Sequence, residues 1–336
     1  MTILPLVAYS VALLVLAPRL LSAGWTRRAP RATASLWIAA EAAALVSVTL
    51  LLLGLVVPLL SVGHAMLALL DFCRSAWDQV PHRLRSHFPD AVSGALVALM
   101  VARLVVATAS VVVPQRRRRR ALRHSVSAMG QPDQARGLTL VDVDLPAAWC
   151  IPGRRSSVCV TAGALQVLSV QETQAVVQHE RAHLKARHHL LVTTVDVFDR
   201  AFPGVPLFRE ARNEMRKLVE MMADDSAARV AGESAVARAL VHLADQTTPD
   251  VGLAAGGSTA SERAWRLLSG RPPLAPWRRR FLAVLATALV VVPLALVAAP
   301  ALADPGQHCQ LAQRSGEMPQ GRSSQVMLPN GAQDLP

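Results

Sequence analysis

A mainly α protein, with four transmembrane helices and one α+β domain between the third and fourth, is the fold class this sequence predicts. Three observations carry it. Four apolar segments, at 3–21, 36–62, 91–113 and 281–303, are long enough to cross a bilayer. The 336 residues are 52% hydrophobic and only 17% charged, an apolar surplus that a soluble domain seldom has. Between spans three and four the pattern changes to short β-rich runs and then to amphipathic helices, over a stretch long enough to build a core.

Pro18 and Arg19 shorten the first span, and no basic region precedes it, so a retained span fits better than a cleaved signal peptide. Arg19, Arg27, Arg28 and Arg31 lie between spans one and two, and the run Arg116–Arg120 follows span three. The 63–90 loop is mixed, with Arg74, Arg83 and Arg85 against Asp71, Asp78 and Asp90. The positive-inside bias then places 22–35 and 114–280 in the cytoplasm and both termini outside. The expected division is a three-helix membrane region at 1–113, a cytoplasmic domain at 114–280, a fourth span at 281–303, and a polar, disordered, extracytoplasmic tail at 304–336. A net charge of +12 would suit nucleic acid, but the arginines flank apolar runs. Membrane lipid is the expected partner, and direct nucleic-acid binding is not.

Cys73 and Cys309 would face the oxidising side, either bridged or as two thiols. Cys150 and Cys159 lack the close spacing of a metal or redox pair and read as small core residues. Ala301-Leu302-Ala303 before Asp304 mimics a signal-cleavage site, with a plain membrane exit as the simpler reading.

Within 114–280, Leu138–Leu145 alternates apolar and polar residues, Ser157–Thr161 is β-rich, and Pro152-Gly153 supplies a turn between them. Ser169 with Glu172 forms a capping box that opens a helix expected to run to about Val195. Pro203, Gly204 and Pro206 break it. A second helix is expected over Phe208–Val230, stopped near Gly232, and a third over Ser234–Ala244. Thr247–Ser261 reads as a loop and Glu262–Leu268 as a short amphipathic return.

The chemistry lies in the first of these helices. His179-Glu180-Arg181-Ala182-His183 places two imidazoles four residues apart on one helical face, where both can grip one Zn2+ ion. Glu180 points about a quarter-turn away, where it can act as a base toward water. A hydrolytic zinc takes a third protein ligand. His189 stands ten residues after His179, but Ala186 occupies the position where that arrangement needs a glycine turn. Glu220 in the next helix is the better candidate. Asp224, one turn on, can accept from the distal nitrogen of a ligating histidine, with Asp225 as a poorer fit for that role. Arg187 and His188 are candidates to stabilise an oxyanion, although a charged helix face explains both equally well.

These residues resemble the integral-membrane zinc peptidases of family M56, typified by the BlaR/MecR antibiotic-sensor transducers. The resemblance rests on three spans, His179-Glu180-x-x-His183, a downstream Glu220-x-x-Ala223-Asp224 and a fourth span. Pro152-Gly153-Arg154, Thr161-x-Gly163 and Ala175–His183 are also similar to that family. It implies a zincin-like fold with His179, His183 and Glu220 as zinc ligands and Glu180 as general base. Two departures stand out. Many relatives carry Asp where this chain has His188, and no penicillin-binding domain or Ser-x-x-Lys motif follows span four. The expected function is therefore a zinc metalloendopeptidase acting on a cytoplasmic protein, such as a transcriptional repressor, in signal transduction. A membrane-protein quality-control or processing protease is the alternative, and a non-catalytic signalling scaffold is a third reading that the intact Glu180 argues against.

Overall fold

The computed structural model describes residues 3–69, 82–153, 156–246, 255–270 and 274–303. Helix α1 (Ile3–Leu21) leads through a 3-10 turn (Gly24–Arg28) into α2 (Pro30–Leu69), followed by α3 (His82–Met129). Near the C-terminus α10 spans Pro276–Ala303. Four windows, Leu4–Leu21, Pro30–Leu52, Gly94–Met129 and Pro276–Ala298, are long and apolar enough to cross a membrane. Val105 and Val106 on α3, and Phe281 and Val284 on α10, keep their side chains exposed. Apolar faces without a protein partner are what lipid would cover. The helices outrun the expected spans: α2 continues to Leu69 and α3 begins at His82, which narrows the expected 63–90 loop. Cys73, Cys309 and the tail at 304–336 lie outside the described residues.

A four-stranded sheet follows α3: β1 (Gly130–Asp133), β2 (Leu138–Val141), β3 (Ala148–Ile151) and β4 (Ser157–Thr161), in the order β1-β2-β4-β3. β2 and β4 run parallel, while the outer strands pair antiparallel. The alternation in Leu138–Leu145 resolves into a strand ending at Val141; β1 and β3 are too short to announce themselves in the sequence. Thr161 closes β4 and caps α4 (Ala162–Val167), accepting from the Ala164 amide at 3.1 Å. Gly163 is required there, because any Cβ would collide with the Asp144 carbonyl. The remaining helices are α5 (Val170–Lys185), α6 (His188–Ala201), α7 (Pro206–Ala231), α8 (Glu233–Gln246) and α9 (Ala255–Leu268).

The Ser169 capping box is present in full: the Glu172 amide donates to Ser169 Oγ, and the Ser169 amide donates to Glu172 Oε2. The helix it opens stops at Lys185 instead of continuing to Val195. Arg187 adopts the left-handed conformation (φ 51°, ψ 39°), and α6 starts on a new axis. A non-glycine residue there costs on the order of 1 kcal/mol, so the surroundings must enforce it. Pro206 begins α7 and Gly232 (φ 88°) ends it, close to expectation. The Thr247–Ser261 loop is corrected in part: residues from Ala255 are helical, and 247–254 lie outside the described residues.

Two cores position the site. Val158 and Val160 of the sheet pack with Ala164 and Leu168 against Val176 and Val177 of α5 and Ala239 of α8. The larger core joins the apolar helices α1 and α2 to α7. Leu207, Phe208, Ala211, Met215, Leu218, Val219 and Met222 make one stripe of α7 at helical spacing. That stripe buries against Leu36, Trp37 and the small residues Ala40, Ala43 and Ala44 of α2, with Leu13, Ala17 and Leu21 of α1.

Candidate metal centre

The antiparallel approach of α5 and α7 brings together the three side chains expected from the sequence. Nε2 of His179 and Nε2 of His183 lie 3.1 Å apart. Glu220 Oε2 stands 3.4 Å from the first and Oε1 3.5 Å from the second. A tetrahedral zinc with nitrogen and oxygen ligands at about 2.0–2.1 Å sets its ligand atoms about 3.3 Å from one another. The observed separations fit that donor set.

Each histidine is steadied from behind. Asp224, fully buried, places Oδ1 3.0 Å from His179 Nδ1, an ion-pair distance although not an aligned hydrogen bond. His188 Nδ1 lies 3.0 Å from His183 Nδ1. If His183 offers Nε2 to a metal, its Nδ1 carries the proton and His188 must accept it as a neutral ring. Burial first, then the neighbouring His183, push the His188 imidazole down to about 4, which keeps it neutral. The left-handed Arg187 makes this contact possible, because a continuous helix would carry residue 188 elsewhere. His188, 3% exposed, thus supports His183 and lies behind it. His189, the rejected third-ligand candidate, lines the cavity without joining the cluster. Arg187 is exposed.

Charge is closed on itself around Asp224. Arg263 of α9 donates from Nε and a terminal nitrogen to its two oxygens at 2.8 and 2.6 Å, and lies 3.1 Å from Glu220 Oε2. Burial alone would raise both carboxyls; His179 and Arg263 outweigh it and bring each to about 2. Burial would likewise discharge His179, yet Asp224 and Glu220 raise it to about 9. The two carboxylates are thus balanced by Arg263 and the His179 proton, and a cation at the converging nitrogens would take that proton's place. Arg263 was not legible in the sequence. Its only signal is that Arg263 and Arg266 share a face of α9. Asp225 pairs with Arg266 at 2.6 Å and takes no part in the cluster.

Glu180 faces a cavity of about 420 Å³ shared with His179, His183 and Glu220. The opposite wall is β3, Ala148–Ile151, and α3 contributes Gln115 and Arg119. Cys150 is half-buried on that wall beside Glu180; burial first, then the Glu180 charge, push its thiol up to about 12. The expectation of two core cysteines holds for Cys159 and is corrected for Cys150, which belongs to the pocket.

Residues 113–203 match the family model of peptidase family M48. The match supports a metallopeptidase. The matched segment carries the sheet, His179, Glu180, His183 and His188, and stops before Glu220. M48 is a family of zinc metallopeptidases, so the broad class expected from the pentad stands, while the match does not single out M56. No curated protein and no solved structure matches the chain.

Proposed function

We propose that this metallopeptidase is an integral-membrane zinc endopeptidase in which His179, His183 and Glu220 hold the ion and Glu180 moves the proton. The convergence of those three donors 3.1–3.5 Å apart carries the reading. When bound, zinc supplies a Lewis acid for the scissile carbonyl and makes water more acidic. Glu180 takes the proton from the attacking water and passes it to the departing amine nitrogen. Asp224 and His188 hold the two imidazoles so that both Nε2 atoms face the pocket. β4 is an interior strand and cannot receive a substrate. The outer strand β3, along the pocket wall, pairs on one side only among the described residues, and its other edge suits an extended peptide.

The finer reading places this pocket on the cytoplasmic face, acting on a protein substrate such as a repressor. Its support is the arginine distribution and the resemblance to M56, and the M48 match does not extend to that role. A second reading, a processing or quality-control protease with a membrane-tethered substrate, is favoured by one observation. Glu41 of α2 is fully buried with neither carboxylate oxygen hydrogen-bonded, an intramembrane polar group of the kind that reading requires. One experiment tests the activity common to both. Purified protein is assayed for zinc and for cleavage of soluble and membrane-tethered reporters, beside Glu180→Ala. Zinc kept with cleavage lost supports the mechanism. Undiminished cleavage in the variant refutes it, and the preferred reporter separates the two substrate classes.

A further inference from the structure

A second cavity, of about 1100 Å³, lies where the turn between α1 and α2 meets the C-terminal end of α7 and the segments bordering the α9–α10 connection. Six arginines line it: Arg27, Arg28, Arg31, Arg229, Arg266 and Arg279. The acidic lining is Asp225, Glu233 and Glu262. Two of these are already engaged, Glu262 with Arg27 and Asp225 with Arg266. Glu233 sits in the first turn of α8, where the helix dipole favours a carboxylate. Arg279 donates to the Leu274 carbonyl. Arg28, Arg31 and Arg229 have no carboxylate partner among the described residues. Topology anchoring accounts for arginines near membrane helices, but not for their convergence on one concavity from three separate stretches of chain. Concentrated like charge in a recess is unfavourable until an anion enters.

The location of the cavity indicates the kind of anion. α1 ends at Leu21, α2 begins at Pro30 and α10 begins at Pro276, so the recess lies beside the ends of three helices long and apolar enough to cross a membrane. Trp265 on its wall and Trp277 at the start of α10 are 69% and 65% exposed. Indoles at the ends of such helices are the usual companions of lipid headgroups. A phosphodiester matches the guanidinium fork, and the volume admits a headgroup as well as its phosphate.

We propose that this cavity binds the headgroup of an anionic phospholipid, with Arg28, Arg31 and Arg229 receiving the phosphate. The helix beneath it also reaches the metal cluster. Arg266 of α9 faces this recess, and Arg263, one turn earlier, holds Asp224 and Glu220. Occupancy of the cavity therefore bears on the helix that closes the charge of the metal pocket. The binding itself does not depend on any activity.

The test uses the full chain in neutral detergent, with phosphatidylglycerol, phosphatidylcholine and inorganic phosphate as probes. Native mass spectrometry reads lipid retention, and titration reads affinity. Wild type is expected to retain phosphatidylglycerol in preference to phosphatidylcholine. The variant Arg28→Gln/Arg31→Gln/Arg229→Gln is expected to bind it at least about tenfold more weakly, and Arg229→Gln alone about fivefold. The single variant keeps the question open to refutation if the triple one fails to fold, which its melting curve would reveal. Equal retention of both lipids, or unchanged affinity in Arg229→Gln, overturns the proposal. Tight phosphate binding without lipid retention overturns the lipid source.

Discussion

The contacts between α7 and α9 carry the same residue types into two different pockets. On the metal side, Glu220 and Asp224 are matched by Arg263 and the histidines, nearly every group has a close partner, and the pocket is about 420 Å³. On the other side, Asp225 and Arg266 form one pair inside a recess of about 1100 Å³ where guanidinium groups outnumber carboxylates. One face spends its charges on holding geometry, while the other leaves charge available to a visitor. Adjacent residues, Asp224 and Asp225, therefore carry different duties, and sequence spacing alone did not separate them cleanly.

The contrast can be broken experimentally, beginning where the effect is largest. Glu180→Ala is expected to lower peptide turnover by about 10²- to 10⁴-fold with zinc content unchanged, whereas Arg229→Gln leaves turnover in detergent intact. Peptide cleavage beside metal analysis checks both. Arg263→Gln strands a fully buried Asp224 and is expected to destabilise metal-free protein by about 3–5 kcal/mol. Arg266→Gln, whose partner Asp225 is 35% exposed, is expected to cost about 1 kcal/mol or less. Denaturant titrations would show whether that gap exists. Asp224→Asn is expected to weaken zinc binding about 10- to 100-fold, while Asp225→Asn leaves it unchanged, as a chelator competition would report.

A modest effect lies outside both faces. Burial opposes ionisation of Glu172, yet the Ser169 amide and Arg238 outweigh it and lower its pKa. A depressed folded-state value means stability that is present above the unfolded pKa of about 4.3 and lost as pH falls through the folded one. Glu172→Gln is expected to cost about 1–2 kcal/mol at neutral pH, with the difference from wild type vanishing under strongly acidic conditions. Melting temperatures followed across pH would test the sign.

What the sequence disclosed, and what it withheld, follows the range of the interactions. The His179–His183 spacing, the Ser169–Glu172 cap, and the Pro206 and Gly232 ends of α7 are local features governed by helix geometry, and each was legible. Glu220 was recovered because a Pro/Gly reversal and an apolar stripe together forced α7 back along α5. Arg263 was not, since its partner lies 39 residues away with no local mark. His188 escaped for a different reason. Its inward turn depends on a left-handed Arg187, and the absence of a glycine there argued for an unbroken helix. α9 opens with Ala255-Gly256-Gly257-Ser258, whose two glycines have weak helix propensity and so gave no local sign of a helix. The pentad carried the enzyme class but could not tell one zinc peptidase family from another, because the metal requires the same side chains in each.

The stripe from Leu207 to Met222 has a practical consequence. It rests against α1 and α2, so a protein trimmed of its first two helices would turn seven apolar side chains toward water, directly beside Glu220. Such a fragment would clump, or twist the ligand out of place, before any assay began. Anyone seeking a soluble, crystallisable hydrolase from this chain must keep its greasy foundation attached.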